Sequence, residues 1–281
     1  MEIKAYGKIN LSLNVQRRRE DGYHDLDMIM APISLHDTID ITISSKDTFS
    51  SNIFMEFDEE NTVCKAIALM RKHFNIREHF CIHLTKNIPM QAGLAGGSSD
   101  GAAMLIAINE LCNLHLSEDI LLDMALKIGA DVPFCLKNQI CRVGGIGEHL
   151  KPIATTLNYH VLLVKPKTGV STKAAYENID FQTCIHPNIE EAYQRLCAND
   201  DTFVTYLGNT LEASAMHLNK EIIEVKQKMQ TFPFDCVMMS GSGSCVFALS
   251  KDLTIIKQAK TELEKEYEFV EACMLLNKKV R

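Results

Sequence analysis

The chain has 281 residues, of which 46% are hydrophobic and 23% charged, a composition typical of a globular protein large enough for two domains. Its formal net charge of −7 argues against a protein that binds nucleic acid by neutralising phosphates, because that mode needs a concentrated basic surface. The ten cysteines are scattered without a CxxC pair, and the first residues do not resemble a signal peptide. We therefore expect a reducing, cytoplasmic setting with no membrane partner.

The first residues predict mixed sheet and helix. A β-prone run over residues 3–15 and an apolar run over 28–35 are separated by a turn at Asp21-Gly22, which indicates strand, turn and strand. The following DTIDITIS alternates apolar and polar residues like a strand with one buried face. Residues 61–73 then change to helical spacing, with one apolar side formed by Val63, Ala66, Ile67 and Met70.

A basic cluster lies just before that turn. Arg17, Arg18 and Arg19 are followed at once by Glu20 and Asp21, and the acids weaken the cluster as a site for a polyphosphate. The pattern leaves two interpretations open, an anion site and a solvated loop.

The segment HFCIHL alternates three metal-ligand residue types, His79, Cys81 and His83, with apolar ones. Structural zinc needs closely spaced thiolates or imidazoles, so this is the nearest approach to such a site. The strict alternation favours a strand instead, with Cys81 on one face.

A glycine-rich loop is the strongest local signal. GLAGGSS, residues 93–99, leads into an apolar helix that reaches about Leu111. Converging N–H groups and a helix N-terminus make such a loop suitable for a di- or triphosphate. Ser98 or Ser99 is expected to cap the helix or to contact phosphate or magnesium. A plain tight turn is the alternative, and neither the P-loop lysine nor GxGxxG spacing is present.

The remaining sequence predicts a second unit. A helix over 117–128 ends at Gly129, CRVGGIGEHLKPI is a glycine-marked turn, and the strand YHVLLVKP follows Pro152, so we predict domains at 1–155 and 156–281. Helical material over 189–230 precedes two strands, 236–239 and 244–249, expected to be antiparallel around SGSG. A helix over 253–267 and the strand FVEACMLL complete an order that suits a ferredoxin-like α+β layer.

Five motifs occur in the order seen in the GHMP kinases, which the chain resembles: KINLSLNV, DGYH, IPMQAGLAGGSSDGAA, GADVPF and SGSGSCVFAL. Within that superfamily, DGYH with GLAGGSSD resembles the kinases that phosphorylate 4-diphosphocytidyl-2-C-methyl-D-erythritol in the non-mevalonate isoprenoid pathway. One departure is visible, since those kinases usually have Pro-Ala where this chain has Tyr6-Gly7.

The resemblance implies an α+β, two-domain GHMP kinase fold, with an N-terminal domain like domain 2 of ribosomal protein S5 and a ferredoxin-like C-terminal domain. It implies ATP as co-substrate with Mg²⁺, phosphorylation of the C2 hydroxyl of a small-molecule substrate, and a monomer or weak homodimer. Two alternatives stay open. One is a different acceptor, such as homoserine, mevalonate or a sugar, and the other is a non-catalytic ligand sensor on the same fold.

The resemblance also assigns the catalytic residues. Phosphoryl transfer needs an acid to orient or deprotonate the hydroxyl and a cation to stabilise the transferring group, and Asp131 and Lys8 match these roles by motif. Without the motif, the alternative for Asp131 is a helix-capping aspartate, and the alternative for Lys8 is a lysine at the surface. Asn10, two residues from Lys8, is expected on the same strand face, able to bond the substrate alcohol or to remain an edge polar group.

The cytosine and ATP contacts follow from the same resemblance. Tyr23 is expected to stack on the cytosine, or to pack in its turn, while His24 reads the polar edge and Tyr176 supplies a second aromatic ring. SGSGS at 240–244 resembles a third glycine motif, with a plain β-turn as the alternative. Asn61 and Lys86 are expected near adenine, although surface positions are their alternative. The full predicted ATP set is Asn61, Lys86, Pro89, Gly93, Leu94, Ala95, Gly96, Gly97, Ser98 and Ser99.

Overall fold

The structure is a computed structural model that describes residues 1–277; residues 278–281, the end of the second predicted domain, lie outside it. The strands are β1 Glu2–Arg18, β2 His24–Ser44, β3 Thr48–Ser51, β4 His79–Thr85, β5 Cys141–Gly145, β6 His149–Pro152, β7 His160–Lys165, β8 Cys236–Met239, β9 Val246–Ser250 and β10 Phe269–Met274. The α-helices are α1 Thr62–Phe74, α2 Gly96–Leu111, α3 Glu118–Ile128, α4 Val132–Lys137, α5 Thr172–Glu177, α6 Ile189–Cys197, α7 Glu212–Leu218, α8 Glu221–Met229 and α9 Leu253–Leu263, with a 3₁₀ helix at Asp201–Tyr206.

Within residues 1–277 the strands form a six-stranded and a four-stranded sheet. In the first, β1 pairs with β2, and the order of the others is β3-β4-β2-β5-β6. The predicted strand, turn and strand is confirmed as the antiparallel pair β1 and β2. The structure joins the run at 28–35 and DTIDITIS into one strand, because β1 pairs with it from His24 to Asp40, across the junction of the two runs. On its other side, β5 pairs with its first part and β4 with its later part.

Helices α1 to α4 pack with β4 around one apolar cluster. The predicted helix at 61–73 is confirmed with the expected buried side, and Asn61 is its N-cap. Strand β3 and helices α4 and α5 were not predicted. The segment CRVGGIGEHLKPI, predicted only as a glycine-marked turn, forms the paired strands β5 and β6. Helix α4 lies in GADVPFCLK, and its proline is in the first helical turn, where the missing N–H has no intrahelical partner to lose.

The four-stranded sheet has the order β10-β7-β9-β8, and its strands are antiparallel, as predicted for β8 and β9. The helical material at 189–230 is divided between α6, the 3₁₀ helix, α7 and α8. Apolar residues of both sheets share one core, in which Ile9 and Ile29 belong to the same cluster as Val161 and Phe247. This shared core holds the two sheets together beside the cleft. In the described part of the chain, no helix is long and apolar enough to cross a membrane.

Candidate active site

A cleft of about 930 Å³ receives residues from both sheets and from the loops beside them. Most of the predicted site lines it, including the two residues expected to be catalytic and all four expected to bind the acceptor. Of the ten predicted ATP-binding residues, Ser99 does not line it. The predicted residues in the lining are Lys8, Asn10, Tyr23, His24, Asn61, Lys86, Pro89, Gly93, Leu94, Ala95, Gly96, Gly97, Ser98, Asp131 and Tyr176.

The glycine loop ends in the N-terminus of α2. Ala95, at φ 57°, is the N-cap residue, and no side chain makes a capping hydrogen bond, so the prediction that Ser98 or Ser99 caps this helix is wrong. The first N–H groups of a helix have no intrahelical acceptor and carry partial positive charge. Because Gly96 and Gly97 lack side chains, those groups remain accessible to an anion from the cleft.

The glycine loop packs tightly on the turn that joins β8 and β9. A Cβ atom on Gly93, whose φ is +73°, would overlap the carbonyl oxygen of Ser240. The Ser240 hydroxyl donates to Gly93 O at 3.0 Å and accepts from the backbone N–H of Asn10 at 3.3 Å. The SGSG turn is therefore part of the cleft wall, and only glycine fits at position 93.

Ser99 faces the protein interior. Its hydroxyl donates to Tyr6 O at 2.6 Å and lies 3.3 Å from the Cys135 sulfur, which is itself beneath the loop. The Ser99 side chain therefore lies outside the cleft lining, whereas Ser98, one position earlier in α2, lines it.

Lys8, Asn10 and Asp131 meet on one side of the cleft. Lys8 Nζ donates to Asn10 Oδ1 at 2.6 Å and lies 3.5 Å from Asp131 Oδ2. The predicted shared face of Lys8 and Asn10 is confirmed. Lys8 is only 4% exposed, which excludes the surface-lysine interpretation. Its backbone N–H donates to Leu94 O at 3.0 Å, which fixes this cluster against the glycine loop.

Asp131 is at the N-cap position of α4 but makes no side-chain cap hydrogen bond, so the helix-capping interpretation is wrong. Its side chain retains 35% exposure and lines the cleft. The carboxylate is thus accessible to a substrate hydroxyl while one oxygen stays close to the Lys8 ammonium.

A second buried cluster lies below the loop. Lys86 Nζ donates to Asp37 Oδ2 and, at 2.7 Å, to Asp100 Oδ2, so its interpretation as a surface residue is wrong. Asp37 Oδ1 accepts from the N–H groups of Asn87 and Ile88. These bonds hold residues 86–88, between β4 and the glycine loop, to β2 and α2. The Lys86 ammonium, which was expected to contact adenine, is therefore already bonded to two carboxylates.

Asp100 is the member of this cluster whose hydrogen bonds are incomplete. Its Oδ1 is buried and has no hydrogen-bond partner among the described residues. Burial raises the pKa of the Asp100 carboxyl to about 7, and Asp37 adds to the rise while Lys86 opposes it. The two carboxylates raise the pKa of Lys86, although its burial acts in the opposite direction. Asp37 was missed by sequence analysis, since it precedes an ordinary strand pattern.

Asn61 serves α1 as well as the cleft. Its Oδ1 accepts from Val63 N at 3.0 Å and its Nδ2 donates to Glu56 O at 2.9 Å. The side chain is therefore held in place at the rim, where it lines the cleft.

The opposite end of the cleft is aromatic. The His24 ring lies 5.0 Å from the Tyr176 ring and 6.3 Å from that of Phe181, measured between centroids. Tyr23 is 59% exposed, so it is not packed in its turn. Burial and then the charge of Arg18 lower the pKa of His24, which favours the neutral imidazole. Phe181 was missed, and its only signal is an aromatic residue in a polar segment.

The arginine cluster divides into paired and unpaired members. Arg17 pairs with Asp25 at 2.6 Å, and Arg19 contacts Asp21 at 3.1 Å and Asp25 at 3.5 Å. Arg18, by contrast, lines the cleft. All three side chains are exposed, and Arg17 and Arg18 belong to β1 rather than to a loop. The interpretation as an anion site stays a prediction for Arg18.

The strand prediction for HFCIHL is confirmed as β4, with His79, Cys81 and His83 on its exposed face. His79 Nδ1 lies 3.2 Å from Asp47, and His83 Nδ1 bonds to the Ser50 hydroxyl at 2.8 Å. Among residues 1–277, no group of three or more His, Cys, Asp or Glu is placed to hold a metal ion.

Comparisons with known proteins cover nearly the whole chain. Residues 61–139 match the family model "GHMP kinases N terminal domain", and residues 184–268 match "GHMP kinases C terminal". The chain is 39% identical to a 4-diphosphocytidyl-2-C-methyl-D-erythritol kinase from Bacillus subtilis (strain 168), over 88% of this chain and 86% of that one. It is 38% identical to the kinase of that name from Clostridium beijerinckii, over 96% and 98%. A crystal structure of 4-(cytidine 5'-diphospho)-2C-methyl-D-erythritol kinase superposes with a TM-score of 0.84 at 31% identity, covering 98% of this chain and 99% of that one.

Proposed function

Because the chain belongs to the 4-diphosphocytidyl-2-C-methyl-D-erythritol kinases of the GHMP kinase family, we propose that its cleft transfers the γ-phosphoryl group of ATP to the C2 hydroxyl of that substrate. The resemblance found in the five motifs is confirmed by these matches, as are the two-domain α+β GHMP kinase fold and the ATP-dependent kinase activity of the non-mevalonate isoprenoid pathway. The residues that carry out the step, and the position of the transferred phosphate, are our proposal.

The observation that carries the proposal is the Lys8–Asp131 pair beside the glycine loop, with its 3.5 Å separation. The loop supplies backbone N–H groups for the nucleotide phosphates. A hydroxyl placed between this loop and Asp131 would face the γ-phosphoryl group on one side and a proton acceptor on the other. Phosphoryl transfer depends mostly on such positioning and on charge neutralisation.

Each member of the cluster then has a separate task. Asp131 accepts the proton of the hydroxyl, or orients that hydroxyl, as the bond from its oxygen to the γ-phosphorus forms and the bond from that phosphorus to ADP breaks. The Lys8 ammonium stabilises charge on the transferring group. Asn10 orients the Lys8 ammonium through the 2.6 Å hydrogen bond from Nζ to Oδ1. Its Nδ2 donates to Met28 Sδ at 3.3 Å and is proposed to exchange this partner for an oxygen of the acceptor.

The residues present also suit Mg²⁺, which prefers oxygen ligands and is commonly bound by one or two carboxylates together with substrate phosphates. Asp100 Oδ1 is a buried oxygen without a partner among the described residues, and Asp100 and Ser98 both line the cleft. Asp100 and the Ser98 hydroxyl are the residues proposed to hold the ion. When bound, it would neutralise phosphate charge during transfer.

At the acceptor end, Tyr23 is proposed to stack on the cytosine, with His24 and Tyr176 next to it. An aromatic face accepts any base, whereas a neutral imidazole discriminates through hydrogen bonds to the polar edge of the ring. This end therefore favours a cytidine-linked alcohol over the small acceptors homoserine and mevalonate.

The test is a coupled assay of ADP release with ATP and Mg²⁺, in which the diphosphocytidyl alcohol, homoserine and mevalonate are compared as acceptors. We expect turnover with the first and background rates with the others. Turnover with one of the small alcohols would instead assign a different acceptor. ATP binding without turnover of any alcohol would favour the sensor alternative.

A further inference from the structure

Four basic side chains line the cleft, and they differ in how they are neutralised. Lys8 and Lys86 are buried, and each lies within 3.5 Å of a carboxylate. Lys173 and Arg18 are exposed. The Lys173 ammonium has one acid within 4 Å, Glu177 at 3.9 Å, and among residues 1–277 no carboxylate oxygen lies within that distance of the Arg18 guanidinium. Two positive charges in the cleft are therefore available to a ligand.

Both charges lie next to the aromatic end. Arg18 is the register partner of His24 across β1 and β2. Lys173 precedes Tyr176 by one helical turn of α5, and residues three apart on a helix are neighbours on its surface. Because the His24 and Tyr176 rings are 5.0 Å apart, the two cations flank one small aromatic cluster from different elements.

We infer that Arg18 and Lys173 bind the diphosphate of the acceptor substrate and so determine its specificity for a nucleoside diphosphate derivative. The inference rests on the proposed function, since it places the cytosine on the adjacent aromatic cluster. In such a substrate the diphosphate follows the cytidine directly, toward the Lys8–Asp131 pair. Arg18 presents a planar donor fork suited to phosphate oxygens, and Lys173 presents a point charge.

Of the three adjacent arginines, only Arg18 is proposed to bind the diphosphate, because the other two already have acidic partners. Asp21 and Asp25 neutralise Arg19 and Arg17 at 3.5 Å or less, so those guanidinium groups have acidic partners already. Arg17 does not line the cleft. It provides a matched control of the same residue type, one position away.

The test is equilibrium binding of cytidine and of CDP, with a non-hydrolysable ATP analogue at saturation so that neither probe occupies the nucleotide site. The proteins are wild type, Arg18→Gln, Lys173→Gln, the double variant and Arg17→Gln. Exposed charge pairs contribute modestly, so each single variant should weaken CDP binding about three- to fivefold and the double variant about tenfold. Cytidine binding and the Arg17→Gln protein should be unchanged, and added salt should reduce the preference for CDP.

An unchanged ratio of CDP to cytidine affinity in the double variant overturns the inference. So does an equal loss of cytidine and CDP binding, which would assign these residues to the aromatic end alone. Wild-type turnover of the complete substrate is measured in parallel. If turnover is absent while the CDP preference depends on Arg18 and Lys173, the diphosphate site stands and the proposed acceptor fails.

Discussion

At the nucleotide end of the cleft, the glycine loop of residues 93–98 and the buried Lys86 cluster form the wall, whereas Tyr23, Arg18 and Lys173 at the acceptor end are exposed. The Lys86 cluster fixes the loop to the first sheet from below, and the SGSG turn fixes it from the side. Tyr23, Arg18 and Lys173, in contrast, belong to a turn, a strand end and a short helix. A phosphate site built from backbone thus depends on the folded core, while acceptor specificity depends on a few replaceable side chains.

The largest effect is expected where the two ends meet. Asp131→Asn retains the shape of the side chain but removes the proton acceptor, so kcat should fall about 10³-fold. Because the side chain is 35% exposed and caps no helix, the melting temperature should stay close to that of wild type. Steady-state kinetics and thermal unfolding measure the two quantities. Asp40→Asn, on the exposed part of β2, is the control, and a variant that keeps a tenth of the wild-type kcat would remove Asp131 from the chemical step.

At the nucleotide end, Lys86→Met should damage stability as well as ATP binding. It leaves Asp37 and Asp100 buried without their cation, and breaking a buried ion pair in this way costs about 3–5 kcal/mol. Urea unfolding measures the loss. Lys127→Met, on the exposed side of α3, should stay within about 0.5 kcal/mol.

The double variant Lys86→Met/Asp100→Asn sharpens this prediction, since it removes one of the two stranded charges. It should recover part of the lost free energy of unfolding. If the double variant is as unstable as Lys86→Met alone, the Lys86 ammonium does not stabilise the fold by neutralising Asp37 and Asp100.

At the acceptor end, Tyr23→Ala should raise KM for the cytidine-linked substrate about tenfold, since stacking of one base on an aromatic side chain contributes about 1–3 kcal/mol. The KM for ATP and the free energy of unfolding should not change, because the side chain is 59% exposed. Tyr23→Phe keeps the aromatic face and should behave like wild type. A shift in stability, or an equal loss with Phe, would show that the ring acts through its packing or its hydroxyl.

The smallest expected effect is the pH dependence of substrate binding through His24. Burial and Arg18 lower its pKa, so the imidazole is neutral from pH 7 upward and KM should be flat there on its account. As pH falls through the lowered pKa, the ring becomes protonated and KM should rise. An NMR titration of the imidazole should place its pKa below the ordinary value of about 6.5, and Arg18→Gln should move it upward. A pKa above the ordinary value would contradict the proposal that a neutral His24 imidazole recognises the polar edge of the cytosine.

Local patterns were sufficient for much of the fold. The period of two placed Lys8 and Asn10 on one face, and helical spacing predicted the buried side of α1. The sequence did not show how far each strand pair extends: β2 is a single strand because β1 pairs with it from His24 to Asp40. Helix α4 was not predicted, because its six residues are too few to show helical spacing and include a proline. The domain boundary near residue 155 stays a prediction.

The candidate site shows the same division. The order of the motifs predicted most of the residues that line the cleft. It did not predict the ion pair between Asp37 and Lys86, which are 49 positions apart. Likewise, three adjacent arginines look equivalent until Asp21 and Asp25 are placed beside Arg19 and Arg17. The direction of Ser99 depends on where α2 begins, and Gly96 follows an N-cap residue that propensity does not predict.

The central claim is that the phosphoryl group is transferred to the C2 hydroxyl of the acceptor positioned beside Lys8 and Asp131. Its most direct test is NMR of the product made by the wild-type protein from ATP and the diphosphocytidyl alcohol, with ¹³C and ³¹P observed together. Phosphorylation at C2 places the methyl carbon three bonds from the new phosphorus, so its signal should be split by that nucleus. An unsplit methyl signal, with a phosphate on a terminal hydroxyl or with no new ester, would contradict the account.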